Sequence, residues 1–447
     1  MARTRKKAVK KAKTKRAARP AAKRRAPAAR RAVPARAPLA AARARAEAEG
    51  RRGPLAGVRV IEIGQMLAGP YVGSRLADFG AEVIKVEAPD RKDPMRVWGE
   101  HKVNGTGLWW SWLSRNKKCI TANLRDPRGV DLIRKLCAQS DVLVENFRPG
   151  TLEDWGIGPD ALHKINPRLV ICRVSGWGQD GPYAQRPGFA SVGEAMGGFR
   201  YVNGFPGEPP VRMGISLGDS LTGMFATQGV LMALYWRDAM GGGKGQVIDA
   251  SIIESCFAFM ESAVPDYVKF GYVRGPSGTG LSGVVPSNIF KSKEGVWVVI
   301  AANVDPMYQR LCKAIARPDL AQYSTHDLRA QNRDTIERAI SEWAGTRTVV
   351  EIDTVLNDNN VVVGPIYSAA EMVNDPHFKA RGMIQPATDD FYGDIVVPGM
   401  TPRFSATPGR MEWLGAAEMG AHNQNVYGKI LGLKAAQLAE FKKAGVI

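Results

Sequence analysis

The sequence predicts an α/β protein built on a doubly wound parallel sheet. Three patterns carry that expectation. Residues 58–63 (VRVIEI) and 82–87 (EVIKVE) are short apolar runs flanking a helical spacing over 71–79, a βαβ unit of about 30 residues. Two more such runs, 141–145 (DVLVE) and 169–174 (LVICRV), alternate with helical segments, 129–138 among them. A long apolar helix over 220–237 then ends in a glycine-rich stretch, 241–245, and the chain returns as a strand at 246–250.

Each element has a local cause. Residues 64–70 form the first strand-to-helix loop, and Gly80 suits the position just past the helix end. In the 220–237 helix, Leu221, Met224, Phe225, Leu231, Met232 and Tyr235 recur at i, i+3, i+4 spacing and predict its buried face. A second helix is expected over 251–270. Residues 271–283 (GYVRGPSGTGLSG) are glycine-rich and read as a loop. A smaller mixed unit follows, with a strand at 297–302, a helix at 306–316 and helical segments to about residue 357. Short strands, turns and a final helix near 435–444 complete the chain. No internal repeat is present.

Composition narrows the class. The 447 residues carry a formal net charge of +19. Residues 1–52 hold 20 Lys and Arg against Glu47 and Glu49, whereas residues 53–447 hold 42 basic and 41 acidic side chains. The excess therefore belongs to a Lys/Arg/Ala/Pro tail over a near-neutral body. That tail is too poor in apolar residues to offset its ordering entropy and is expected to be disordered. It reads either as a tether weakly binding polyanions or as a solvated appendage. No apolar run is long enough for a membrane span, and no apolar segment follows the basic start as a secretory signal requires. Cys119, Cys137, Cys172, Cys256 and Cys312 are scattered, and the five histidines are far apart. Neither a disulfide framework nor a metal site is expected, and a cytoplasmic location fits.

Gly214–Asp219 (GISLGD) contains Gly-x-Ser-x-Gly, the pattern of a hydrolase nucleophile elbow. Pro209 and Pro210 argue against the buried strand such an elbow needs. Asp219 itself, at the start of a helix, reads as an N-cap or as a carboxylate nucleophile; on residue type alone the cap is the plainer reading. The loop 65–70 (QMLAGP) lacks the spacing of a dinucleotide fingerprint.

Taken together, several segments carry a more specific signal. They are 55–89 (LAGVRVIEIGQMLAGPYVGSRLADFGAEVIKVEAP), 115–129 (RNKKCITANLRDPRG), 141–158 (DVLVENFRPGTLEDWGIG), 166–189 (NPRLVICRVSGWGQDGPYAQRPGF), 211–225 (VRMGISLGDSLTGMF), 242–255 (GGKGQVIDASIIES) and 364–383 (GPIYSAAEMVNDPHFKARGM). In this order they resemble the family III coenzyme A transferases, over about residues 54–435.

The resemblance implies a Rossmann-like large domain built from both chain ends, a smaller α+β domain and an interlocked homodimer. Its domains would be 53–270 and 358–447 for the large unit and 271–357 for the small one. It places the nucleophile on Asp219. Coenzyme A contacts would fall on Leu67, Ala68, Leu124, Arg125, Asn146, Phe147, Arg148 and Arg186. Gly278, Gly280 and Gly283 would belong to a mobile loop over the site. Acyl-CoA thioester and a carboxylic acid would be substrates, with no resident cofactor. Segment 189–198 resembles a subgroup using succinyl-CoA and dicarboxylic acids. Formyl-CoA transferases carry a glutamate where this chain has Ala190; Glu194, one helical turn on, is the alternative carboxylate. Related 2-methylacyl-CoA racemases carry a histidine where this chain has Phe189. Phenylalanine cannot move protons, which favours transferase over racemase.

Overall fold

A computed structural model describes residues 36–447. Its centre is a six-stranded parallel sheet. The strands, in chain order, are β1 (Arg59–Glu62), β2 (Glu82–Glu87), β3 (Lys117–Thr121), β4 (Val142–Glu145), β5 (Val170–Ser175) and β6 (Val247–Ser251). The spatial order is β3-β2-β1-β4-β5-β6. Chain direction across the sheet reverses between β1 and β4, the crevice where open α/β sheets bind ligands. Every residue of β1, β2 and β4 is buried, as strands covered on both faces require.

Strand β3 was not evident as a strand in the sequence. Its Lys117 is fully buried, with Nζ 2.8 Å from Glu62 on β1. The helix expected over 251–270 is two helices, Ile252–Phe257 and Ala263–Phe270. Between them Glu261 takes a left-handed backbone conformation (φ 50°), and Pro265 falls in the first turn of the second helix, where its missing N–H costs no bond.

The long helix, Leu217–Asp238, buries a face other than the expected one. Thr222, Gly223, Ala226, Thr227, Val230 and Ala233 are buried, while Met224, Phe225, Leu231, Met232 and Tyr235 are exposed. Close approach to the helix Ala68–Asp78 selects small residues. A Cβ on Gly223 would stand 2.8 Å from the Tyr71 ring and 3.1 Å from the Ala68 carbonyl oxygen.

A smaller unit holds a three-stranded antiparallel sheet of β7 (Ser287–Lys291), β8 (Trp297–Ala301) and β9 (Val362–Pro365), with its own apolar core. Its third strand lies past residue 357, the boundary suggested by the sequence. A hairpin of β10 (Ile384–Asp389) and β11 (Gly393–Pro398) follows. Helices Asn423–Leu431 and Ala435–Lys443 then pack Val426, Tyr427 and Leu438 into the core of the six-stranded sheet. His422 Nδ1 accepts the Cys119 N–H at 3.0 Å and ties this return to β3.

The expected disordered tail needs correction at its end. Residues Arg36–Ala48 form a helix, and Arg45 donates to the Gly57 carbonyl and pairs with Asp141. Residues 1–35 of that tail lie outside the described residues.

Candidate active site

The loops after β1 and β4 meet at the crevice where chain direction reverses. The Asn146 carboxamide fixes the first of them: its Oδ1 accepts the Gln65 N–H and its Nδ2 donates to the Gln65 carbonyl, both at 2.8 Å. Met66 beside it has φ 62°, and its N–H donates to Asp93 Oδ1 at 3.2 Å. The second loop is held from below. The buried Glu145 carboxylate accepts from Arg173 Nε at 2.8 Å and from the Phe147 N–H at 2.7 Å. Phe147 packs edge-on against Trp155.

These loops wall a cavity of about 510 Å³. Leu67, Ala68, Asn146 and Phe147 line it, with Gly188, Phe189 and Ala190 from the chain after β5. Asp219, from the first turn of the long helix, lines it too. Asp219 is not the helix cap; Ser216 holds that position and makes no side-chain cap bond. Capping falls to Glu194, whose Oε1 accepts the Gly218 N–H at 3.1 Å. Burial, and then the neighbouring Glu194 carboxylate, push the Asp219 carboxyl up to about 6, with Arg212 opposing. The result is a carboxylate without hydrogen-bond partners among the described residues, ionised near neutrality and facing a cavity. Such a group can act as a nucleophile or a base.

The remaining expected residues lie elsewhere. Leu124 packs on the apolar core. Arg125, Arg148 and Arg186 are exposed and do not line the cavity; Arg125 and Arg148 sit on loops after β3 and β4, at the same sheet edge. Arg186 stacks over the Tyr183 ring at 3.8 Å. Gly278, Gly280 and Gly283 do not line the cavity either; the Gly278 N–H donates to the Gly204 carbonyl at 2.9 Å. Glu194 lines a smaller adjoining cavity of about 230 Å³ rather than the one holding Asp219. Sequence reasoning missed Arg212, Gln65, Met66 and Trp98, which line the larger cavity. Arg212 lies seven residues before Asp219, a spacing that carries no periodic signal through a Gly-containing loop.

The family model described as CoA-transferase family III matches residues 55–423. The chain is 46% identical over 393 residues to succinyl-CoA–D-citramalate CoA-transferase of Chloroflexus aurantiacus, covering 87% of this chain and 97% of that one. It is 31% identical over 393 residues to succinyl-CoA:glutarate CoA-transferase of Homo sapiens, covering 87% and 89%. Among solved structures, a CAIB/BAIF family protein from Brucella suis superposes with a TM-score of 0.74 at 29% identity, covering 85% of this chain and 100% of that one.

Proposed function

The chain belongs to CoA-transferase family III, and from that premise we propose that it moves coenzyme A from succinyl-CoA to a dicarboxylic acid, with Asp219 as the nucleophile. The observation that carries the assignment is Asp219, unpartnered at the helix start and facing the cavity between the β1 and β4 loops. One Asp219 oxygen attacks the thioester carbonyl carbon, the C–S bond breaks, and CoA leaves as thiolate. The product is a mixed anhydride between succinate and Asp219. The thiolate then attacks the aspartyl carbonyl, releasing succinate and leaving an aspartyl-CoA thioester. The acceptor carboxylate displaces CoA to form a second anhydride. CoA thiolate attacks the acceptor's carbonyl in turn, which forms the new thioester and restores Asp219. Splitting one exchange into steps of similar energy is what covalent catalysis provides.

Leu67, Ala68, Asn146 and Phe147 would meet the coenzyme, and Arg125, Arg148 and Arg186 its phosphates, for which guanidinium geometry suits. A racemase of this fold needs a proton-moving partner for Asp219. Among the described residues no histidine lines the cavity, and Phe189 occupies its wall.

The assembly we propose is a homodimer. The apolar face of the long helix is exposed, Tyr235 by 62%, and Val268 and Phe270 of the following helix by 77% and 75%. Apolar surface of this extent marks a protein interface. The protein works in the cytosol; its five cysteines are free and buried, and no helix among the described residues is long and apolar enough to cross a membrane. The basic tail gives weak, salt-sensitive polyanion binding. The deciding assay incubates the protein with succinyl-CoA and citramalate, malate or glutarate and follows the new CoA thioester by mass spectrometry. Transfer that is lost in Asp219→Ala supports the reading; no transfer to any carboxylic acid, or full activity in Asp219→Ala, refutes it.

A further inference from the structure

Beside Asp219, one buried carboxylate holds two guanidiniums. Glu194 is 4% exposed. While its Oε1 caps Gly218, its Oε2 lies 3.3 Å from Arg212 Nε and 3.9 Å from a terminal nitrogen of Arg200. Arg212 is thereby ion-paired through Nε, its side chain stays 43% exposed, and its terminal nitrogens make no hydrogen bond among the described residues. Arg212 lines the Asp219 cavity, and among the described residues it is the one cation that does so.

We propose that Arg212 is the receptor for the distal carboxylate of a dicarboxylic acyl group, positioned by Glu194; this rests on the CoA-transfer reading above. The planar fork of a guanidinium matches a carboxylate, whereas the methyl end of a monocarboxylic acyl chain would leave the cation covered and unpaired. The charge balance also changes with the reaction. Arg200, Arg212, Glu194 and ionised Asp219 sum to zero. Forming the anhydride removes the charge on Asp219, and the same four groups then carry one net positive charge. The site therefore attracts the distal carboxylate most strongly while the acyl group is covalently bound, which favours the intermediate over its escape.

Arg212→Gln and Arg212→Lys are compared with the wild type on succinyl-CoA and on butyryl-CoA, a chain of equal length ending in a methyl group. The ratio of the two kcat/KM values falls about 100-fold in Arg212→Gln, and Arg212→Lys, which keeps the charge without the fork, recovers part of it. Losing Arg212 also raises the Asp219 pKa, but that slows both substrates alike and cancels in the ratio. Glu194→Gln keeps an acceptor for the Gly218 N–H and raises KM for succinyl-CoA about tenfold, with a smaller change in kcat. A ratio in Arg212→Gln within threefold of the wild type overturns the proposal. Calorimetry with free succinate reads the same contact without turnover. Succinate binding weakens about tenfold in Arg212→Gln; equal succinate binding in the two proteins, or none in the wild type, overturns the proposal. Failure of the CoA-transfer reading looks different: the wild type turns over neither acyl-CoA, while succinate still separates it from Arg212→Gln.

Discussion

Asp219 sits in the first helical turn, where backbone N–H groups favour an anion, yet burial and Glu194 push its carboxyl up to about 6. Nucleophilic attack needs the ionised form, so kcat/KM should fall about tenfold per pH unit below 6 and level off above 7. A profile flat between pH 5 and 8 would separate the rate from this group. The same shift has a stability consequence. A carboxyl whose folded pKa exceeds its unfolded value of 3.8 contributes stability below that value, and this is lost as pH rises through about 6. Asp219→Asn should therefore be more stable than the wild type by about 2 kcal/mol at pH 8, with the difference vanishing near pH 4; paired denaturant titrations measure it. At this scale the reading of Asp219 as a nucleophile came only through the resemblance carried by segment 211–225 and its companions, since residue type alone favours a cap. Arg212 was not legible, because its place at the cavity depends on a fold-level contact with Glu194, 18 residues earlier in the chain.

At the scale of elements, packing decided what periodicity could not. The large apolar residues of the long helix point outward because its contact with Ala68–Asp78 admits only small ones. Gly223→Val should cost about 1–3 kcal/mol and lower the thermal midpoint, as overpacking does. Unchanged stability would mean that the helices are not in close contact. Strand β3 escaped pattern reading because Lys117 and Lys118 look like a solvated edge. In the fold, Lys117 is buried against Glu62, and Lys85 lies 3.4 Å from the same carboxylate. Glu62→Gln leaves Lys117 without its counter-charge and should cost about 3–5 kcal/mol, read from the denaturation midpoint. From residue types alone the loop 65–70 was legible only as a connector, and its place at the site entered through the resemblance, because the Asn146 clamp that shapes it joins segments 81 residues apart. Asn146→Ala removes both bonds to Gln65 and should raise KM for the acyl-CoA about tenfold.

Across the whole molecule, the βαβ spacing and apolar strands made the parallel sheet legible, and five of its six strands could be read directly. The return of the C-terminal helices to that sheet entered only through the resemblance, since no local pattern encodes a contact such as Tyr427 Oη donating to the Thr121 carbonyl at 2.8 Å. The exposed apolar helix faces predict a dimer in sedimentation at micromolar concentration, and a monomer there would contradict that assembly. A covalent intermediate on Asp219 can be trapped by incubating the protein with succinyl-CoA, adding hydroxylamine, and mapping the peptides by mass spectrometry. A hydroxamate should form on Asp219, require succinyl-CoA and be absent from Asp219→Ala; an unmodified Asp219 during active transfer, or the adduct on another residue, rules that intermediate out.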